Sequence, residues 1–320
     1  MYEPLLIEDD SKYTILPVKH HDIYDMYKKA VSSFWVEEEI DLAKDLNDWN
    51  YKLNDDERYF ISMILAFFAG SDGLINENLG QRFYKEVQNS EARLFYGFQI
   101  AMEGIHQEVY AKIIDTYIRD KKQKEKLFNA MIEFPCIKKK ADWCKKHINS
   151  DRPFAERLVA FACVEGIAFS GAFCSIFWCK KRGILQGLSF SNELISRDEA
   201  LHTEFAVLLY SKLKYKLSFS KIKEIIMEMV EIECGFICDA LPCRLLGMNS
   251  NSMSEYIKFV ADRLSVQLGY NKIYDAKNPY DWMFLISLQS KANFFENRVS
   301  DYALATKNID SDIFVLEADF

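Results

Sequence analysis

Two long stretches of the chain, between Pro17 and Pro135 and between Pro153 and Pro242, contain no proline. Proline inside a helix removes a backbone hydrogen bond and clashes with the preceding turn. Gaps of this size therefore leave room for long, unbroken helices. Within the first gap, Leu94, Phe98, Ile100, Ala101, Ile105 and Val109 recur close to helical spacing. No run of short strands bounded by turn signals occurs. The chain reads as all-α.

The helix expected over about residues 90–119 carries Glu103, His106 and Tyr110 at offsets of three and four, which puts all three on one face. That face is otherwise largely apolar. A carboxylate and an imidazole there need a partner, because an unpaired buried charge is costly. Either a metal ion or a buried hydrogen bond meets that need. The Glu-x-x-His spacing then recurs at Glu199 and His202, so two of the five histidines share one arrangement.

Two further acids interrupt apolar runs. Asn54 to Glu57 is a helix start of the capping-box kind, and the helix it opens is almost wholly apolar from Tyr59 to Ala69 before reaching Asp72. Leu74, Ile75 and Leu79 continue the apolar face past Asp72, which favours burial of that acid. Leu158 to Trp178 holds a single charge, Glu165. This segment has the length of a membrane span. An acid near its middle argues instead for a helix buried in a large bundle, apolar on every side.

Composition removes several function classes. A formal net charge of −8 and a pI near 5.3 leave no basic stripe for nucleic acid. The clusters Lys138–Lys140 and Lys180–Arg182 read as helix-end charges. Eight scattered cysteines, with no CxxC pair and no secretory signal, indicate reduced thiols and a cytoplasmic protein. Cys234 and Cys238 share a helix face and read as ordinary packing. No membrane association is expected.

In chain order, the periodicity predicts helices over about 21–33, 54–79, 90–119, 122–133, 137–148, 153–181, 190–213, 219–240 and 253–268, with a further one over 288–303. Asn278-Pro279 marks a turn. Residues 1–303 are expected to form one domain, and 304–320, which lack helical periodicity, a mobile tail.

Four helices thus each offer a buried acid: Asp72, Glu103, Glu165 and Glu199. Two of them add a histidine, His106 and His202. One carboxylate from each of two helices and Glu-x-x-His from each of two others is the ligand set of ferritin-like di-metal bundles. Four carboxylates and two imidazoles suit divalent iron or manganese, and the four negative charges balance two 2+ ions.

At this point the chain resembles the small, radical-generating subunit of class I ribonucleotide reductase, of the eukaryotic and large-DNA-virus type. The resemblance is carried by Ala30–Trp35, Phe67–Asn78, Glu103–Tyr110, Val164–Gly171, Ser189–Glu199, Phe259–Leu264 and Phe314–Phe320. These segments span nearly the whole chain. Small departures are Gly70, where alanine is common, and Glu317, where aspartate is usual. The chain also starts close to the family's core, without the long N-terminal extension of many animal members.

The resemblance implies a ferritin-like bundle with extra helices around a di-metal carboxylate core. Asp72, Glu103 and His106 would bind one iron, and Glu165, Glu199 and His202 the other, with Glu103 bridging. The implied cofactors are two iron ions per chain in a di-iron-oxo centre, with dioxygen to generate the radical and manganese as a possible replacement. Tyr110 would carry the radical, shielded by Phe169, Phe173 and Ile195. His106, Asp198 and Trp35 would link the centre to the surface, and Tyr302 would relay the radical across a subunit interface. Phe314, Leu316 and Phe320 would dock the tail on a separate large subunit, where ribonucleoside diphosphates are reduced to deoxyribonucleotides for DNA synthesis. A homodimer, or a heterodimer with a paralogue, is implied. Without the resemblance, Trp35 reads as a core aromatic and Tyr110 as a hydrogen-bonded core tyrosine. The same ligand set also occurs in desaturases, hydroxylases and oxidases. Tyr110, the Trp35–Asp198 pair and the tail argue against these. The presence of all six ligands and Tyr110 argues against a silent paralogue or an iron-storing bundle.

Overall fold

The computed structural model describes residues 3–8, 10–148 and 151–283. The chain divides after Pro279 into two units, of which the first, Met1–Pro279, is the helical body. Tyr302, Phe314, Leu316 and Phe320, the helix expected over 288–303 and the boundary expected at 303/304 lie outside the described residues.

Thirteen α-helices make up the described body: α1 His21–Ser32, α2 Asp45–Tyr51, α3 Asp55–Asn78, α4 Tyr84–Glu86, α5 Ser90–Tyr117, α6 Lys121–Phe128, α7 Ala130–Glu133, α8 Pro135–Ile148, α9 Phe154–Cys163, α10 Ser170–Lys181, α11 Gln186–Lys212, α12 Phe219–Cys234 and α13 Ser250–Gln267. No strand occurs among the described residues. Four long rods form the centre: α3, α5, the continuous stretch from α9 through α10, and α11. Helix α3 packs on α5, α9 and α10 pack on α11, and α5 meets α11. Helix α1 covers α5, while α12 and α13 pack on each other and on the α9–α10 rod.

Local chemistry explains where these rods begin. Asn54 Oδ1 accepts from the Glu57 N–H and Glu57 Oε2 accepts from the Asn54 N–H, each at 2.9 Å, so the expected capping box forms. Asn89 and Asn249 accept from the backbone three residues on, opening α5 and α13 in the same way.

The start of α11 is built differently. Leu185 takes a left-handed conformation, φ 53° and ψ 59°, which is unfavourable for leucine. It is held by two acids of α2, a short helix that the periodicity does not predict. The Leu185 N–H donates to Asp48 Oδ2 (2.9 Å), and the Gly187 and Leu188 N–H groups donate to the two oxygens of Asp45 (2.9 and 2.8 Å). A side chain at Gly187 would put its Cβ 2.3 Å from the Asp41 carbonyl oxygen, so only glycine lets the two backbone segments approach this closely. Helix α2 caps another helix with its acids and adds one residue, Trp49, to the core, which leaves little periodic signal.

Two expected helices are interrupted. The rod expected over 153–181 contains a π-helical turn at Val164–Ala168, and that expected over 219–240 ends in another at Gly235–Ala240. The helix expected over 122–133 breaks at Asn129 into α6 and α7. Asp55–Glu86 and Phe154–Lys181 are both long and apolar enough to cross a membrane, but the most apolar part of the second is 94% buried inside the protein. Its hydrophobicity is that of a central core helix. The reading of Lys138–Lys140 as helix-end charges needs correction. Lys138 pairs with Asp142 at the surface, whereas Lys140 faces inward and is fully buried.

Candidate metal centre

The six residues singled out by spacing and by their place in apolar runs come from four rods and meet in the interior. Asp72 lies in the last two turns of α3, Glu103 and His106 in the middle of α5, Glu165 in the π turn, and Glu199 and His202 in α11. None is more than 3% exposed. Offsets of three residues in α5 and α11 bring each histidine over its own glutamate. The pairs then face each other. His202 Nδ1 lies 3.0 Å from Glu103 Oε1 and 3.2 Å from Glu199 Oε2, and His106 Nδ1 lies 3.1 Å from Glu199 Oε1.

Two groups of ligand atoms can each surround one ion: Asp72, Glu103 and His106, and Glu103, Glu165, Glu199 and His202. Within each group the atoms lie within 4.8 Å of one another, and Glu103 belongs to both. Asp72 Oδ2, both oxygens of Glu103, His106 Nδ1 and Glu165 Oε2 are buried without an aligned hydrogen-bond partner. Orphaned acceptors are rare in protein interiors. Five of them converging on one small volume is what a pair of divalent cations would satisfy, and oxygen and imidazole donors suit iron or manganese.

The electrostatics carry the same message. Burial, followed by repulsion from Glu103, pushes the Asp72 carboxyl well above the ordinary range. Burial and the neighbouring Glu199 do the same to Glu165. Glu199 goes the other way. Burial alone would raise it, but the neighbouring Glu165 and the imidazoles of His202 and His106 outweigh that cost. Burial likewise disfavours protonated imidazoles, yet Asp198, Glu103 and Glu199 raise His106 well above its usual value, and Glu199 with Glu103 raises His202 to about 9. Without cations, then, the surroundings favour the proton-bound forms of Asp72, Glu165 and both imidazoles.

The sequence profile described as "Ribonucleotide reductase, small chain" matches residues 12–279, which include all of these groups. The protein belongs to the ribonucleotide reductase small-chain family.

Relatives align along nearly the whole length. The sequence is 58% identical over 327 residues to the ribonucleoside-diphosphate reductase small subunit of Dictyostelium discoideum, covering 99% of this protein and 97% of the relative. It is 56% identical over 321 residues to the ribonucleoside-diphosphate reductase subunit M2 of Danio rerio, covering 99% and 83%. Among solved structures, the Rnr4 homodimer of Saccharomyces cerevisiae superposes with a TM-score of 0.82 at 40% identity, covering 94% of this protein and 93% of that one. The ferritin-like bundle is thus the small-chain fold.

Around the small-chain centre the structure places the other residues singled out. Tyr110 is buried, and its ring stacks on Phe68, centroids 4.6 Å apart and planes 6° apart. Its hydroxyl has no hydrogen-bond partner. Burial first, then the charge of Asp72, pushes the phenol far above its ordinary value. Phe169 and Phe173 pack on the same Phe68 ring at 5.7 and 5.0 Å, and Ile195 is buried. On the other side, Trp35 Nε1 donates to Asp198 Oδ2 at 2.7 Å, and His106 Nε2 lies 3.2 Å from the same oxygen.

Two contributors are not apparent from the sequence pattern used to find the rest. Phe68 covers Tyr110 more closely than either expected phenylalanine, yet it stands in a run of apolar residues where nothing marks it out. Gln99 Nε2 donates to Glu165 Oε1 at 3.1 Å. A signal for Gln99 does exist, since it precedes Glu103 by one helical turn on the same face.

Proposed function

We propose that this chain is the radical-generating small subunit of a ribonucleoside-diphosphate reductase. In this reading the six ligands hold two iron ions, manganese being the alternative metal, and Tyr110 is oxidised to a radical that is passed to a large subunit. The observation that carries it is the Tyr110 hydroxyl: a buried phenol without a partner, one helical turn from His106, beside a cluster of orphaned carboxylate oxygens. A structural tyrosine this deep normally has its hydroxyl satisfied.

Held by these six residues, a pair of redox-active metal ions would supply the dioxygen activation that leaves an oxidant able to take one electron from the phenol. The rest falls to the chain. Phe68, Phe169 and Phe173 keep water and reductants from the oxidised ring. Asp198 fixes the His106 ring through its outer nitrogen, a standard support for a metal-bound imidazole, and couples it to Trp35. Charge then leaves along His106, Asp198 and Trp35. Tyr302 continues that route, and Phe314, Leu316 and Phe320 dock on the large subunit.

The homodimeric assembly of the Saccharomyces relative supports a dimer here. All eight cysteines are free thiols, which supports a reducing cytoplasm. The deciding experiment is an electron paramagnetic resonance spectrum after ferrous iron and air. The expected result is a tyrosyl signal from the wild type and none from Tyr110→Phe, with two ions bound in each. A normal signal in Tyr110→Phe would overturn the assignment.

A further inference from the structure

Lys140 of α8 is the one lysine among the described residues buried to this degree, at 2% exposure, and it is not one of the six ligands. Its ammonium donates to the Ala168 carbonyl at 2.6 Å and to Glu233 Oε2 at 2.5 Å. The rings of Phe67 and Phe236 cover it, with centroids 3.7 and 4.1 Å away. The second oxygen of Glu233 accepts from the Gly171 N–H at 3.0 Å.

These two backbone contacts bracket one place. Ala168 closes the π turn that carries Glu165, and Gly171 lies in the first turn of α10. Where a helix changes pitch, the regular ladder of backbone bonds is interrupted. Here a carbonyl on one side of the junction is taken by a cation and an N–H on the other side by its anion. Gly171 makes the approach possible, because a Cβ there would stand 2.7 Å from Glu233 Oε1.

Stability by itself gives no reason for such a pair. Buried ions lose hydration, and a packed apolar pair of similar volume is often as stable. What the ions add is two directional contacts at fixed points of the backbone. Resting on the metal-centre reading above, we infer that the buried Lys140–Glu233 pair is a positioning device for Glu165, clamping the π turn so that this carboxylate meets Glu103, Glu199 and His202. The same clamp sets the wall beside Tyr110. Phe169 follows Ala168 directly, and Phe67, beneath the ammonium, packs on Phe169 with centroids 5.6 Å apart.

The test uses the full-length, metal-free chain and cobalt(II) alone as probe, titrated stepwise and followed by visible absorption. Lys140→Met removes the cation at nearly constant length. The expected result is a loss of about tenfold to a hundredfold in affinity at the site containing Glu165, in the range seen when the support of a ligand is removed. The site built on Asp72 and His106 should keep its affinity. A general loss of folding would lower both together, so a parallel fall overturns the inference, as does no change at either site. If Lys140→Met does not fold, Gly171→Ala gives the second arm. It keeps both charges but displaces Glu233 Oε1, and the same selective loss is expected. Unchanged affinities in folded Gly171→Ala overturn the clamp. A wild type that binds fewer than two cobalt ions overturns the metal-centre reading itself, a failure distinct from the clamp's.

Discussion

Trp35 lies nearly parallel to His106, ring centroids 5.8 Å apart and planes 20° apart, and both rings direct a nitrogen at one oxygen of Asp198. The two residues come from separate elements. Trp35 sits in the segment after α1, and His106 in the middle of α5. One carboxylate oxygen therefore joins His106 to a tryptophan that is itself buried.

Asp198→Asn keeps the shape of that junction but replaces the shared acceptor with a neutral amide. The expected outcome is radical formation close to wild type, with turnover beside the large subunit reduced by about 10–100-fold. Radical yield by paramagnetic resonance and nucleotide reduction by product analysis, measured on one preparation, separate the two effects. Equal losses in both would show that Asp198 serves metal assembly rather than transfer.

Deleting residues 314–320 removes Phe314, Leu316 and Phe320 together. The truncated chain should load metal and form the radical normally, but show no activity with the large subunit. A peptide of the deleted residues should inhibit the intact pair. Full activity of the truncated chain would remove the tail from the docking surface.

Asp45→Ala strips α11 of its cap. Asp45 is fully buried and accepts from the Gly187 and Leu188 N–H groups and from the Tyr117 hydroxyl at 2.6 Å. Its removal leaves buried donors unsatisfied. The expected cost is about 3 kcal/mol, measured as a lowered midpoint in urea with an unchanged slope. An unchanged midpoint would show that another group or water replaces the cap.

Metal uptake should be coupled to proton release. In the metal-free chain Asp72, Glu165 and His106 all bind protons more tightly than usual, and His202 is raised to about 9. Ligands must be unprotonated to bind a cation. His202, raised to about 9, holds its proton at neutral pH, so a cation must displace it, and the upward shifts of the other three act in the same direction. Affinity for manganese(II) should therefore rise between about pH 6 and pH 8, with acidification of a weakly buffered solution on binding. A flat profile over that range would mean that the cluster is already deprotonated.

The sequence by itself determined the rods and most of what they present to one another. Helical periodicity is a local property, so proline-free apolar runs with Glu103, His106, Glu199 and His202 at fixed offsets define faces before any packing is known. Asp72 and Glu165 were legible for the same reason, as acids where an apolar face continues. Tertiary structure decided what depends on distant partners. Spacing does not reveal that Asp45 and Asp48 hold the left-handed Leu185, that Phe68 covers Tyr110, or that Lys140 reaches Glu233 rather than water. Nor does it reveal the π turn under Glu165, because a single change of pitch leaves the apolar pattern of that rod intact. Charge and hydrogen-bond partners far apart in sequence carry no periodic signal, and only the packed chain chooses them.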